Sequence, residues 1–481
     1  MANYSFAWQI NYKARPANLH QNNEKTRGDS MTVNTINVAD IIDRQKMGKF
    51  QIRVIILCAL MQFLDGFDAQ AIAYVAPTLR KAWNLGQESL GPVFGAGLAG
   101  IFIGSLLVGP LADRFGRKKL MIASVAVFGL FTLLTAEATS LNMLFFFRFI
   151  AGLGLGAVIP STVVMASEYA PAHRRGSMVT LMACGFSLGA ASGGMLAGAY
   201  LLQFGWHAIF YVGGVLPLLL MLVLFRGLPE SLRFLSLDPA ANRPRMLEIL
   251  KRIEPKISYT DGIAFSHVQR NTKRWRVLEL FNQNRGAMTC LVWAIFFMNL
   301  VCLNFLNNWL PTVLSASMSM HDAVRTTTFF QFGGMAGVIS MGLLADRFGF
   351  YRVLITGFLV ASALTATIGM VSSIEMTRLV LACCGFCIIG VQMTLTALTA
   401  FLYPTAIRGT GTGWANSFGR IGSFSGPVVG GMLLGLHLPL QTVFLVAALP
   451  TACGALLTLA LSRRKSKIGH EEAAAVPAAA G

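Results

Sequence analysis

Twelve long apolar segments constrain this sequence more than any other feature. Each is about 20 residues long and nearly free of charge, which is the length needed to cross the hydrocarbon core of a bilayer. Only 12% of the 481 residues are charged, whereas about 25% is usual for a soluble protein. The sequence therefore predicts an all-α membrane protein with spans at 52–78, 91–112, 119–139, 143–166, 178–203, 207–226, 287–315, 325–345, 352–372, 376–402, 412–436 and 439–462.

The net charge of +18 is distributed unevenly over the connecting loops. A basic chain can bind nucleic acid, but here the basic residues crowd every second loop, which is the pattern of loops retained in the cytoplasm. We therefore expect no nucleic-acid partner, a multi-pass protein of the cell inner membrane, and cytoplasmic termini. The basic loops contain Arg114, Arg117, Lys118, Lys119, Arg174, Arg175, Arg347, Arg352, Arg408, Arg463 and Arg464.

Two sequence motifs recur at a constant spacing of 233 residues. Ala112–Gly116 returns unchanged as Ala345–Gly349, and Pro171 and Arg175 return as Pro404 and Arg408. A shared spacing predicts two homologous bundles of six helices each. The predicted parts are an N-terminal cytoplasmic segment at 1–50, a first bundle at 51–226, a linker at 227–286, a second bundle at 287–462 and a tail at 463–481.

The segments outside the bundles show little periodicity of apolar residues. Residues 1–50 contain no apolar signal-peptide core, so no cleaved signal peptide is expected. Residues 1–30 also lack periodicity, so we expect disorder or a gene-model extension there, with Met31 as an alternative start. Within the linker, helical character is weak and centred on 244–253.

Two carboxylates stand inside the first span. Asp65 and Asp68 are three residues apart and therefore share a helix face. A charged residue in a span costs about 2.5 kcal/mol or more, and such residues usually mark function. Burial and a neighbouring carboxylate both favour the protonated form of a carboxyl group. The pair therefore predicts proton coupling, although a structural ion pair with Arg148 or Arg420 is the alternative.

The end of the second span and the loop after it have the sequence GPLADRFGRKKL, at residues 109–120. Together with twelve spans in two halves, this motif resembles the major facilitator superfamily, which implies the major facilitator fold and transport by alternating access. The resemblance implies gating or conformational salt bridges at Asp113, Arg114, Arg117, Asp346, Arg347 and Arg408, with Asp113 pairing Arg117 or capping a helix.

Arg148 opens the sequence RFIAGLGLGA in the fourth span. This resembles a superfamily motif linked with proton movement, which implies a coupling role for Arg148. The alternative is that its side chain reaches the outer membrane interface.

Further motifs resemble the aromatic acid:proton symporter family of the superfamily. They are Asp65-Gly-Phe-Asp68, the stretch Tyr403–Gly411, Arg420, and the seventh-span sequences FMNL and NNWLP. The resemblance implies import of benzoate-like carboxylates with protons. Drug antiporters of the superfamily carry Pro where this chain has Ala190, so an exporter is disfavoured.

An aromatic carboxylate needs a cation for its charge and flat apolar walls for its ring. Arg420 is a lone cation inside the eleventh span, and it is the predicted carboxylate ligand. The other predicted substrate-binding residues are Asn304, Trp309, Phe330 and Gln331.

These features predict a symporter for a small aromatic carboxylate such as hydroxybenzoate. No cofactor is expected besides the coupling proton, no enzyme activity, and a monomeric protein in the lipid bilayer. Cys384 and Cys387 lack a second ligand pair, so no metal site is expected. Three alternatives stay open: an importer of another organic anion, an exporter of metabolites or drugs, and a membrane sensor.

Overall fold

The computed structural model describes residues 35–36, 41–43, 45–254, 264–265, 277–282, 285–371, 373–404 and 407–474. The expectations for 1–30 and for the end of the tail therefore lie outside the described residues. Twelve long helices dominate the described chain. They are α1 Lys49–Trp83, α2 Leu90–Phe115, α3 Arg117–Ala136, α4 Leu141–Tyr169, α5 Arg175–Phe204, α6 His207–Gly227, α7 Gly286–Leu314, α8 Met320–Phe348, α9 Phe350–Thr367, α10 Ile374–Leu402, α11 Arg408–Gly435 and α12 Leu440–Ala474.

The all-helical membrane fold predicted from the sequence is confirmed. Within the described chain, eleven helices are long and apolar enough to cross a membrane. The twelfth long helix, α11, is more polar because it carries Arg420 and several Ser, Thr and Asn residues.

Helix α1 begins before its predicted boundary because Gln51 stabilises its first turn. The backbone N–H of Gly48 donates to Gln51 Oε1 at 2.8 Å, which satisfies a group left open at a helix start. Gln51 Nε2 in turn donates to the carbonyl oxygen of Tyr169 at 2.9 Å. This polar start was missed because a window of apolar residues does not extend to it.

The connection between the two bundles contains one substantial helix, Pro239–Ile253, here called the linker helix. It begins earlier than predicted because Asp238 accepts a hydrogen bond from the Ala241 N–H at 3.2 Å, and Pro239 suits the first helical position. Shorter elements are the helix Leu232–Leu235, 3₁₀ turns at Gln87–Ser89, Ala172–Arg174, Leu278–Leu280 and Ile368–Met370, and a parallel pair of two-residue strands, β1 Thr35–Ile36 and β2 Ala264–Phe265.

The two bundles pack their helices in the same pairs. In the first bundle α1 packs on α5, α2 on α4, and α3 on α6; in the second α7 packs on α11, α8 on α10, and α9 on α12. Between the bundles α5 packs on α8, α2 on α11, and α1 on α7, so the contacts between bundles also follow the two-fold relation.

Close approach of helix backbones recurs at the repeat spacing. A methyl group added at Gly100 in α2 would overlap the carbonyl oxygen of Phe149 in α4. At the equivalent place a methyl group on Gly333 in α8 would overlap the carbonyl oxygen of Ala382 in α10. Small residues that let backbones approach are typical of helix packing in membranes.

We expect Gly333→Ala to lower the free energy of unfolding by about 1–3 kcal/mol, because the added methyl must displace α10. The matched control is Gly342→Ala in the same helix, where a methyl group meets no atom within 4 Å. Thermal unfolding of the detergent-solubilised protein measures both. Equal melting temperatures for the two variants would contradict this packing.

The bundles meet tightly at one membrane face and are apart at the other. At the end of the short loops, Leu90 and Phe94 in α2 are at most 2% exposed, and the Phe94 ring lies 5.1 Å from that of Trp309 in α7. At the end of the basic loops, a methyl group added at Gly109 in α2 or at Gly413 in α11 would meet no atom within 4 Å. The structure is therefore open toward the face with the basic loops.

Candidate functional site

A cavity of about 290 Å³ lies between the bundles and is lined by both predicted carboxylates and both predicted buried cations. Asp65 and Asp68 come from α1, Arg148 from α4 and Arg420 from α11. Aromatic and aliphatic side chains form much of the remaining wall. These include Ile72, Val93, Phe94, Leu98, Ile101, Leu155, Ile159, Phe186, Leu300, Leu303 and Met393.

Asp68 and Arg148 form a buried, two-pronged ion pair. Arg148 Nη1 donates to Asp68 Oδ2 and Nη2 donates to Oδ1, both at 3.2 Å. The two side chains are 2% and 4% exposed, so Arg148 does not reach the membrane interface. The ion pair is the structural alternative that the sequence offered for the two aspartates, and a coupling role of Arg148 stays a prediction.

Two hydroxyl groups and a ring complete the surroundings of Arg148. Thr132 accepts from Arg148 Nη2 at 3.0 Å and donates to Asp68 Oδ1 at 2.6 Å, while Thr135 accepts from Arg148 Nε at 3.3 Å. The guanidinium carbon lies 5.1 Å from the centre of the Phe210 ring. These partners satisfy the charge that burial would otherwise penalise. Thr132 and Thr135 were not predicted, because threonine is common in spans and gives no signal of its own.

Asp65 has a different environment from Asp68. It is 2% exposed, and its Oδ2 atom makes no hydrogen bond with any residue that the structure describes. Asp68 and Arg420 are the charges that act on it. Asp65 thus faces the cavity as a buried carboxyl group with an open oxygen, whereas the oxygens of Asp68 are occupied by Arg148 and Thr132.

Arg420 of α11 lines the same cavity as the Asp68–Arg148 pair. Its guanidinium interacts electrostatically with Asp65, and no residue in the described part of the chain forms a hydrogen bond with it. A guanidinium can bind a carboxylate through two parallel hydrogen bonds. Arg420 is therefore the group in the cavity best able to receive an anionic ligand.

Side-chain amides line the side of the cavity formed by the second bundle. Asn304, Asn307 and Asn308 come from α7, Gln392 from α10 and Asn416 from α11. Gln392 Oε1 accepts from Asn299 Nδ2 at 2.8 Å, which fixes the orientation of its amide. Gln392 and Asn416 were not predicted, although a lone amide in an apolar span is the same signal that singled out Asn304.

The other predicted substrate-binding residues lie behind the cavity wall. Gln331 is buried, and its Nε2 donates to Asn307 Oδ1 at 3.0 Å, so it supports a lining residue. Trp309 is fully buried and donates to the Pro427 carbonyl oxygen at 2.9 Å, which joins α7 to α11. Phe330 is fully buried in α8, where its carbonyl oxygen faces Gly385 of α10. The structure thus places Trp309 and Phe330 outside the cavity lining.

Comparison with known protein families identifies the family of this chain. The model described as Major Facilitator Superfamily matches residues 58–427 and 326–479. The chain belongs to the major facilitator superfamily. The fold agrees with solved structures of such transporters. The xylose transporter XylE from E. coli, described as partially occluded and inward open, has a TM-score of 0.68 at 18% identity, over 86% of this chain and 98% of that chain.

Characterised relatives of this superfamily member are transporters of aromatic acids. The chain is 37% identical to the 4-hydroxybenzoate transporter PcaK of Pseudomonas putida over 422 residues, which is 87% of this chain and 94% of that protein. It is 34% identical to the gallate transporter of the same organism, over 92% of this chain and 97% of that protein. The predicted family resemblance is confirmed, and so is the prediction of a transporter rather than an enzyme.

The superfamily motif at the basic-loop face contains an ion pair and a helix cap whose acidic residues lie far from the motif in sequence. Arg117 pairs with Glu168 at the end of α4, and Ser231 Oγ donates to Glu168 Oε2 at 2.6 Å. Glu230 Oε1 accepts from the backbone N–H groups of Arg117 and Lys118 at 2.8 and 3.0 Å. An anion at a helix start is favourable. Glu168 therefore pairs with Arg117, and Glu230 caps α3. The gating role of Asp113 stays a prediction.

Other predicted gating residues lie on the open face. Arg114 and Arg347 each stack on the ring of the following phenylalanine, with the guanidinium carbon 5.2 and 5.4 Å from the ring centres of Phe115 and Phe348. Asp346 and Arg408 are solvent-exposed. In the first repeat Gly116 lies against Glu230, whereas the equivalent Gly349 has no atom within 4 Å of an added methyl. The two copies of the motif thus have different surroundings.

Proposed function

We propose that this chain is a proton-coupled symporter that imports a small aromatic carboxylate. The observation that carries the proposal is a central cavity in which Arg420 can receive a carboxylate while Asp65 holds an open carboxyl oxygen beside it. The relatives named for 4-hydroxybenzoate and gallate support the substrate class. Phe94 and Phe186 provide flat apolar surface for a ring.

Charge balance gives a physical reason for coupling. The cavity contains two carboxyl groups, Asp65 and Asp68, and two guanidinium groups, Arg148 and Arg420, so its charges sum to zero when both carboxyl groups are ionised. A substrate carboxylate adds one negative charge to a site of low dielectric, where an unbalanced charge is costly. Protonation of Asp65 restores the balance and leaves the charge of Arg420 to be neutralised by the substrate. Proton and substrate binding are thereby linked, with one proton for each monovalent anion.

Alternating access supplies the direction of transport. The site lies between two repeats that rock against each other, as in other transporters built from repeats. The basic loops orient the open face toward the cytoplasm by the positive-inside pattern, with both termini on that side. In this orientation, the conformation described here is the one that releases substrate and proton inward. The protein would act as a monomer in the cell inner membrane.

Uptake of radiolabelled 4-hydroxybenzoate into cells that express the chain tests this function. We expect the labelled substrate to accumulate in the cells, and we expect a protonophore to abolish this accumulation. Unlabelled benzoate analogues should reduce it by competing for the site, because both the ring and the carboxylate contribute to binding. Aliphatic carboxylates are the comparison series. Competition by aliphatic acids but not by benzoate analogues would assign another organic anion, and binding without flux would assign a sensor.

A further inference from the structure

A second cavity of about 440 Å³ lies at the basic-loop face, outside the transport site. It is bounded by the start of α3, the end of α6 and the linker helix, with Phe50 of α1 at one side. Five basic side chains face it, against two acidic ones. The basic residues are Lys118, Lys119, Arg226, Arg245 and Arg252.

The two acidic residues of this cavity are already engaged. Glu230 caps α3 through the N–H groups of Arg117 and Lys118, and Glu248 pairs with Arg252 at 2.7 Å. Within the described chain, Lys119, Arg226 and Arg245 have no hydrogen bond or ion pair, and all three are exposed. The cavity therefore carries a positive charge that the protein does not neutralise.

The other wall of the same cavity is apolar and faces the membrane. Phe225, near the end of α6, is 68% exposed, and Lys118 Nζ lies 5.9 Å from the centre of its ring. Ile122 of α3 and Leu228 also line the space. A basic cluster that adjoins exposed apolar helix surface at the membrane boundary matches an amphiphile with a negative head and a hydrocarbon chain.

We propose that this cavity binds the head group of an anionic phospholipid from the leaflet next to the basic loops. The phosphate would lie among Lys119, Arg226, Arg245 and Arg252, and an acyl chain would follow the exposed surface of α3 and α6 at Phe225. Basic pockets at the cytoplasmic ends of membrane helices bind anionic head groups in this way. Because Arg245 and Arg252 belong to the linker helix, the bound lipid holds that helix against the first bundle.

Native mass spectrometry of the purified full chain, titrated with phosphatidylglycerol or phosphatidylcholine, tests the proposal. We expect retention of phosphatidylglycerol in the wild-type protein. Each basic residue near a membrane surface contributes about 1 kcal/mol to binding of anionic lipid, so the double variant Arg245→Gln/Arg252→Gln should weaken the apparent affinity about 30-fold. The matched control is Arg463→Gln/Arg464→Gln, which removes two charges from the end of the apolar part of α12.

The proposal would be overturned if Arg245→Gln/Arg252→Gln retained as much phosphatidylglycerol as the wild type, or if both double variants lost phosphatidylglycerol equally. It would also be overturned if glycerol phosphate fully displaced phosphatidylglycerol, since that would indicate a site for a soluble anion. Thermal unfolding verifies that the variants fold. If Arg245→Gln/Arg252→Gln does not, Lys119→Gln/Arg226→Gln takes its place, with the same expected weakening. The assay needs no transport, so its outcome is independent of the proposed symport.

Discussion

Asp65→Asn is expected to abolish accumulation of 4-hydroxybenzoate while leaving exchange of internal for external substrate intact. The amide keeps the shape and the neutral state that substrate binding requires, but it carries no proton across the membrane. Exchange needs only movement of the loaded carrier, so it continues when coupling is lost. Accumulation and exchange are both measured on one preparation of vesicles, by collecting the vesicles on filters and counting the labelled substrate that they retain.

Asp68→Asn is the comparison that makes this experiment specific. Removal of the Asp68 charge leaves Arg148 buried without its counterion, and breaking a buried pair costs about 3–5 kcal/mol. We therefore expect Asp68→Asn to lose both exchange and accumulation. Loss of exchange in Asp65→Asn as well would show that the two carboxylates act as one structural unit, contrary to the division of roles proposed here.

Arg420→Gln is expected to raise the KM for substrate at least roughly 30-fold, because loss of one partner of a buried charge pair costs about 2 kcal/mol or more. Arg420→Lys should recover only part of the affinity, since an ammonium group lacks the two-pronged geometry of a guanidinium. Initial rates of uptake across a substrate series provide the KM values.

The control for this series is Arg352→Gln, which removes a positive charge from the second bundle at an exposed position of α9. We expect its KM to match that of the wild type. A KM for Arg420→Gln that also matches would exclude Arg420 as the carboxylate ligand, and the amides on α7 would become the next candidates.

The fold followed from the sequence because membrane insertion leaves few choices. Every span must satisfy its backbone groups internally, so long apolar segments become helices. The repeat spacing that joins Asp113 to Asp346 also relates the close contacts at Gly100 and Gly333. Charged residues in spans are rare enough that Asp65, Asp68, Arg148 and Arg420 could be selected, and all four line one cavity.

The pairing of those charges could not be predicted in the same way. Whether Arg148 or Arg420 binds Asp68 depends on how α4 and α11 are rotated about their axes. That rotation cannot be predicted from a single sequence. Trp309 and Phe330 show the same difficulty, because an aromatic residue in a span has the same composition signal whether it faces a cavity or a neighbouring helix. Their burial between helices emerges only from packing.

Glu168 and Glu230 illustrate a further limit. Acidic residues at the ends of spans are common on protein surfaces, and nothing local marks these two as partners of Arg117. They lie 51 and 113 positions from it, so only the folded chain brings them together. The sequence alone offered Asp113, which is closer to Arg117 along the chain.

The most direct test of proton-coupled import uses the purified protein in liposomes with an inwardly directed proton gradient. The account predicts accumulation of 4-hydroxybenzoate well above that of protein-free liposomes, which correct for passive entry of the neutral acid. Liposomes containing Asp65→Asn should not exceed that passive level. Accumulation that is the same with and without the gradient, or equal in wild type and Asp65→Asn, would contradict the proposed coupling.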